Sequence, residues 1–272
     1  MSDAPSRPVR FADLGLRVAS GLVLAVLAFL NLWAGGGWAA AFISLAFVLM
    51  FWELHRMATG SQALTAPSLV VPCVAGVLAL LATACWGTPT GLGVLAIGTV
   101  LVALVGGARR DWLTAGFLYM ALGMGALIAF RNREPEGVWL ILWLVLVVVA
   151  ADVGAYFVGR RMGGRKLWPA VSPGKTWSGA IGGLVFAGAT GLIFGLLAGW
   201  PPLRIGLLSL GIAVCSQMGD LLESAVKRRF NVKDSSRLIP GHGGVMDRLD
   251  GIMGGIWFFA ICHSLGVNAL GQ

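Results

Sequence analysis

Apolar and polar residues alternate along this chain on the scale of whole helices. Nine apolar windows, bounded by glycine, proline or charge, lie near 14–33, 37–58, 69–87, 90–107, 112–130, 138–158, 179–199, 203–226 and 251–270. Each approaches the roughly 20 residues a helix needs to cross a bilayer. The pattern predicts an all-α, polytopic transmembrane protein of about nine spans. Trp33, Trp38, Trp86, Trp112, Trp139 and Trp200 fall at window ends, where an indole keeps its ring in acyl chains and its N–H wet. Composition agrees, because 57% hydrophobic and 12% charged residues with a mean hydropathy of +0.84 leave too little polar surface to enclose a soluble core.

Charge fixes the expected orientation. With the N-terminus in the cytoplasm, all Lys and Arg except Arg131, Arg133 and Arg204 fall on the cytoplasmic side, as positive-inside sorting requires. Losing one span would reverse every later loop. The net charge of +8 follows from the same sorting, and no soluble domain remains to hold nucleic acid, so none is expected as a partner. The four cysteines lie within windows and form no Cys-x-x-Cys pair, which makes them small buried apolar residues. The first window follows Arg7, Arg10 and Arg17 and leads directly into the second, so a retained helix is expected there, not a cleaved signal peptide.

The chain divides by its ionisable groups. Residues 1–135 read as an N-terminal transmembrane scaffold, in which Glu53 and His55 either reach the site from the inner end of the second span or, the favoured reading, form an ordinary snorkelling boundary beside Arg56. Residues 136–272 read as the catalytic region. There Asp152, Asp220 and Glu223 stand late in spans, at the cytoplasmic end, where charge is costly enough to signal function.

The densest chemistry is the polar island from Asp220 to Asp250, in which five carboxylates interleave with six cations. Asp220, Glu223, Ser224 and Lys227 share one helical face at i, i+3, i+4 and i+7, offering a metal ligand, a hydroxyl and a cation, or else a salt-bridged helix end. Pro240 then breaks the helix. Gly241, Gly243 and Gly244 surround His242, and such glycines let backbone N–H groups approach phosphate oxygens, although they equally suit a plain turn. His242 is compatible with phosphate binding, proton transfer or a turn cap. Asp247 and Asp250 follow at i and i+3. Brought together with Asp220 they would supply hard oxygen donors for Mg²⁺; a structural ion-pair cluster is the alternative. Upstream, Arg160, Arg161, Arg165, Lys166 and Lys175 form a loop without acids. Gly174-Lys175-Thr176 is not a P-loop, because Pro169 stands where that motif needs glycine.

These residues resemble the phosphatidate cytidylyltransferase family, also called CDP-diacylglycerol synthase. Ser224, Lys227-Arg228, Lys233-Asp234, Pro240, His242-Gly243-Gly244, Asp247-Arg248 and Asp250 stand without a gap at the spacing of its C-terminal motif. Asp152-x-x-Ala155-Tyr156, Gly159-Arg160 and Ser172-Pro-x-Lys175-Thr176-Trp177-x-Gly179 look like its second characteristic segment. The family usually has lysine at the place of Gly174 and glutamate at that of Ser178. The resemblance implies a multi-span, bacterial-type inner-membrane enzyme, working as a homodimer, that condenses CTP with phosphatidate to CDP-diacylglycerol and pyrophosphate. It implies Mg²⁺ and admits K⁺ beside it.

On that basis Asp220, Asp247 and Asp250 are expected to hold metal. Lys175, Lys227, Arg228, Lys233 and Arg248 would neutralise phosphates, with Asp234 orienting Lys233. Ser224 would hydrogen-bond a phosphate, and His242 would orient the loop or a phosphate. Asp152, Ser172, Thr176, Gly243 and Gly244 complete the expected substrate site. A CDP-alcohol phosphotransferase is disfavoured because no acid follows Asp250. A transporter is disfavoured because the charges crowd one end of the spans and not the midplane.

Overall fold

In a computed structural model, which describes residues 11–267 and 269, every apolar window coincides with a helix. The helices are α1 (Phe11–Ala34), α2 (Gly36–Thr59), α3 (Pro67–Trp86), α4 (Thr88–Val105), α5 (Arg110–Arg131), α6 (Gly137–Met162), α7 (Trp177–Ala198), α8 (Pro202–Arg229) and α9 (Met246–Ser264). Seven of them, α2 to α8, are long and apolar enough to cross a membrane. In α1 the described apolar stretch is the shorter Ser20–Ala34. Asp247, Arg248 and Asp250 crowd the first turns of α9 and keep it out of that set.

Local chemistry explains the breaks. Pro67 and Pro202 open α3 and α8 at positions where the missing N–H has no helical partner to lose. Between α1 and α2, Gly35 turns the chain, and the buried Arg131 guanidinium from the end of α5 donates to the carbonyls of Leu32 (2.6 Å) and Trp33 (3.2 Å). Those two carbonyls lie at the end of α1, where no helical N–H remains for them.

The expectation of a purely α-helical chain is corrected at one place. Lys166–Trp168 (β1) and Ser172–Thr176 (β2) form an antiparallel hairpin, with Lys166 opposite Thr176 and Trp168 opposite Ser172. Gly163 and Gly164 end α6, and Pro169 and Pro173 prevent helix from continuing. The hairpin hands over to α7 through Thr176, whose Oγ1 accepts the Gly179 N–H at 3.1 Å as an N-cap.

α2 to α5 pack around an aromatic cluster in which Phe117 meets Phe47 and Phe51 edge-on. In the second half α6 packs on α7 and α8 on α9, and α9 also touches α2 and α5. The buried Trp143 indole donates to Ser209 Oγ at 2.9 Å, tying α6 to α8. The α8–α9 contact depends on glycine: a Cβ on Gly254 would collide with the Cys215 carbonyl, and one on Gly219 with the Asp250 carbonyl. That backbone approach brings Asp220 alongside the start of α9.

Candidate active site

Lys227 is the hub of one half of the site. α8 runs on to Arg229, so Glu223 and Lys227 occupy successive turns, and Lys227 Nζ lies 2.5 Å from Asp247 Oδ1 and 3.2 Å from Glu223 Oε1. The other oxygen of Asp247 accepts from Ser235 N (3.1 Å), Ser235 Oγ (2.9 Å) and Gly244 N (2.8 Å). Both Asp247 oxygens are therefore engaged within the protein. The Gly244 N–H, expected to face phosphate, is directed to Asp247 instead. Gly243 has φ +83° and its carbonyl accepts the Ile239 N–H at 2.8 Å, closing a tight turn around His242. His242 Nδ1 lies 2.9 Å from Ser20 Oγ on α1, and that hydroxyl also lies 3.1 Å from the Pro240 carbonyl.

The second half of the site is more open. Lys175 Nζ on β2 lies 2.5 Å from Asp220 Oδ2 on α8, and both side chains are about one-third exposed, at 28% and 34%. Ser224 Oγ is 3.4 Å from Asp220 Oδ1. A cleft of about 720 Å³ opens here, lined by Asp152, Tyr156, Arg160, Lys166, Lys175, Thr176, Gln217 and Asp220 among others. Asp152 is repelled by Asp220 and attracted by Lys175 and Arg248. Arg228 braces the hairpin through the Val171 carbonyl (3.4 Å) and its own loop through Val232 (3.3 Å). Ser172 stands in β2 opposite Trp168. Ser178, where the family usually has glutamate, donates to the Gly163 carbonyl at 2.5 Å and holds the start of α7. Lys233, Asp234 and Arg248 are exposed. Among the described residues Asp234 makes no ion pair with Lys233, so the expected orienting role is not seen.

Asp220, Asp247 and Asp250, the expected metal set, are not drawn together around one point. Among the described residues no three His, Cys, Asp or Glu side chains converge to hold a metal ion, because Asp247 is turned to Lys227 and the loop. Asp220 and Asp250 are differently placed. Asp250 Oδ1 accepts the Gly251 N–H (2.7 Å), and the carboxylates of Asp220 and Asp152 repel it. Glu223 is 6% exposed, its Oε1 pairs with Lys227, and it shares a cavity of about 210 Å³ with Asp250. Crowded carboxylates such as Asp220 and Asp250 fit a hard divalent cation such as Mg²⁺, which needs only one or two protein carboxylates when water and phosphate complete its shell.

One buried acid was misread from sequence. Glu53 is not a snorkelling boundary: it is fully buried and accepts hydrogen bonds from the 235–246 loop. Arg56 instead lies over the Trp52 ring at 4.7 Å, and His55 pairs with Ser68 at 2.9 Å without reaching the site. Glu53 sits three residues inside Arg56 in an apolar helix, and the cost of a charge at that depth was the available signal.

Fold and site together define a polytopic helical membrane protein with an acid–base cluster gathered at one end of α8 and α9. Residues 15–265 match the Cytidylyltransferase family, and the chain belongs to that family. It is 38% identical over 251 residues to the phosphatidate cytidylyltransferase of Brucella suis biovar 1 (strain 1330), covering 89% of this chain and 90% of that protein. Shorter alignments match the phosphatidate cytidylyltransferases of Bacillus subtilis (strain 168), 42% identical over 144 residues, and of Haemophilus influenzae, 48% identical over 137. These cover 52% and 48% of this chain, and 54% and 48% of the relatives.

Proposed function

We propose that this chain condenses CTP with phosphatidate to give CDP-diacylglycerol and pyrophosphate. The observation that carries the reading is the cleft in which Lys175, Lys166 and Arg160 stand beside Asp220, within a chain similar over nine-tenths of its length to a phosphatidate cytidylyltransferase. A phosphatidate oxygen attacks the α-phosphorus of CTP, the bond from that phosphorus to the α,β-bridging oxygen breaks, and pyrophosphate leaves with the bond's electrons. Phosphatidate is already ionised at neutral pH, so the residues are needed for alignment and charge neutralisation more than for proton removal.

In this reading the cleft's cations receive the triphosphate, and Lys175 exchanges Asp220 for a phosphate oxygen. Lys227, held by Asp247, stands on the adjoining face of α8 for the lipid phosphate. Asp220 and Asp250 would hold Mg²⁺, whose chemistry is to neutralise the charge developing on the phosphoryl oxygens. The same reading places nine spans in a bacterial inner membrane with the N-terminus and the site on the cytoplasmic side, where CTP meets a membrane-held phosphate. A homodimer is part of the proposal and is testable by cross-linking in native membranes.

The test supplies purified protein with phosphatidate and α-labelled CTP and follows label into the lipid phase. Label is expected with Mg²⁺, is lost with EDTA and returns when Mg²⁺ is restored. Absence of lipid label under all three conditions would overturn the reading.

A further inference from the structure

Glu53 belongs to α2, in the half of the chain that supplies scaffold, yet its carboxylate is aimed at the loop that carries the motif residues. Oε1 accepts from Ser236 Oγ (2.6 Å) and Val245 N (2.9 Å), and Oε2 accepts from Ser235 Oγ (3.0 Å) and Met246 N (2.7 Å). Ser236 Oγ, Val245 N and Met246 N donate to Glu53 outright, and the single Ser235 hydroxyl proton is shared between Glu53 and Asp247. None is a cation, and among the described residues no ion pair reaches Glu53. A buried carboxylate satisfied only by neutral donors is an expensive way to hold two helices together, since an apolar side chain would pack there without desolvating a charge.

What the four bonds secure is specific. Val245 and Met246 begin α9, whose first N–H groups have no helical acceptors, and a carboxylate at that end also meets the positive end of the helix dipole. The same turn presents Asp247 and Asp250. Ser235 stands between the two acids, its hydroxyl 3.0 Å from Glu53 Oε2 and 2.9 Å from Asp247 Oδ2. Ser236 extends the clamp by accepting the Leu238 N–H at 3.1 Å. The arrangement also accounts for a motif glycine: a Cβ on Gly244 would collide with Ser235 Oγ and Glu53 Oε1. Gly244 thus admits the clamp and presents its N–H to Asp247.

We propose that Glu53 is a positioning residue for the transfer reaction, fixing from α2 the 235–246 loop and the first turn of α9, and through them the Lys227–Asp247 pair and Asp250. The proposal rests on the cytidylyltransferase reading above. Among the described residues the hydrogen bonds of Glu53 go to Ser235, Ser236, Val245 and Met246 and not to the residues that line the cleft, so its effect falls on the alignment of the reacting groups and not on nucleotide capture.

The experiment compares wild type, Glu53→Gln and Ser236→Ala in the lipid-label assay, with folded fraction taken from size exclusion and the thermal midpoint. In Glu53→Gln either orientation of the amide turns an NH₂ group against a backbone N–H of Val245 or Met246. The expected result is a fall in kcat of about 10- to 100-fold per folded molecule, with KM for CTP within about twofold of wild type, because small misplacements of reacting groups act on turnover. Ser236→Ala keeps three donors and is expected to fold like wild type with kcat down about threefold, the size of one lost hydrogen bond. If Glu53→Gln does not fold, Ser236→Ala decides. Wild-type kcat in folded Glu53→Gln, or in Ser236→Ala where that variant must decide, would overturn the proposal. An inactive wild-type protein would overturn the reading of the reaction instead.

Discussion

Two lysine–aspartate pairs of the same 2.5 Å separation stand in the site and differ in everything else. Lys227 and Asp247 are 13% and 7% exposed, Lys227 has a second acid in Glu223, and Asp247 takes three further hydrogen bonds from the loop. Lys175 and Asp220 are 28% and 34% exposed and open onto the large cleft. A pair that has been desolvated and saturated is fixed in place, since removing one partner strands the other. A pair still in contact with water can trade its partner for a substrate oxygen at little cost. The buried pair thus holds Lys227 at a set position on α8, whereas the open pair is free to exchange partners.

That contrast is open to direct attack. The largest effect is expected from Asp220→Asn, which should lower lipid labelling by at least about 100-fold, as for loss of a group that stabilises transferring charge. Its thermal midpoint should stay close to wild type, because a one-third-exposed pair contributes about 1 kcal/mol or less. Asp247→Ala should do what Asp220→Asn does not: destabilise the protein by about 3 kcal/mol in detergent unfolding as well as abolish turnover, since it frees Ser235, Gly244 and Lys227 together. Equal stability losses in the two variants would erase the distinction. Lys175→Met should act more mildly, raising KM for CTP about tenfold with little change in unfolding. The smallest effect belongs to the core away from the site. Ser209→Ala leaves the buried Trp143 N–H without its acceptor, should cost about 1 to 2 kcal/mol of stability, and should leave turnover per folded molecule unchanged.

The helices were legible because a bilayer gives backbone groups no partner outside the segment, so an apolar window must be helical, and α1 to α9 fall on the nine windows. Span ends were less clear. α8 and α9 continue as polar helix beyond the apolar runs, and only there do Lys227 and Asp247 come within reach of each other. The hairpin carries no hydropathic signature, being two strands of three and five largely polar or half-exposed residues, with Pro169 after the first and Pro173 within the second. Helical spacing placed Asp220, Glu223, Ser224 and Lys227 on one stripe correctly, but it has no access to contacts between elements. The contacts of Asp247 with Lys227 and the loop are of that kind. Glu53 meets partners 182 and more residues away, and only the cost of burying its charge pointed to a role.

The most direct measurement is the transfer of label from α-labelled CTP into the lipid phase by wild type and Asp220→Asn at equal folded concentration, with Mg²⁺ present. The account predicts label with wild type and about one per cent of it or less with the variant, at an unchanged thermal midpoint. Labelling by Asp220→Asn at the wild-type rate would contradict it.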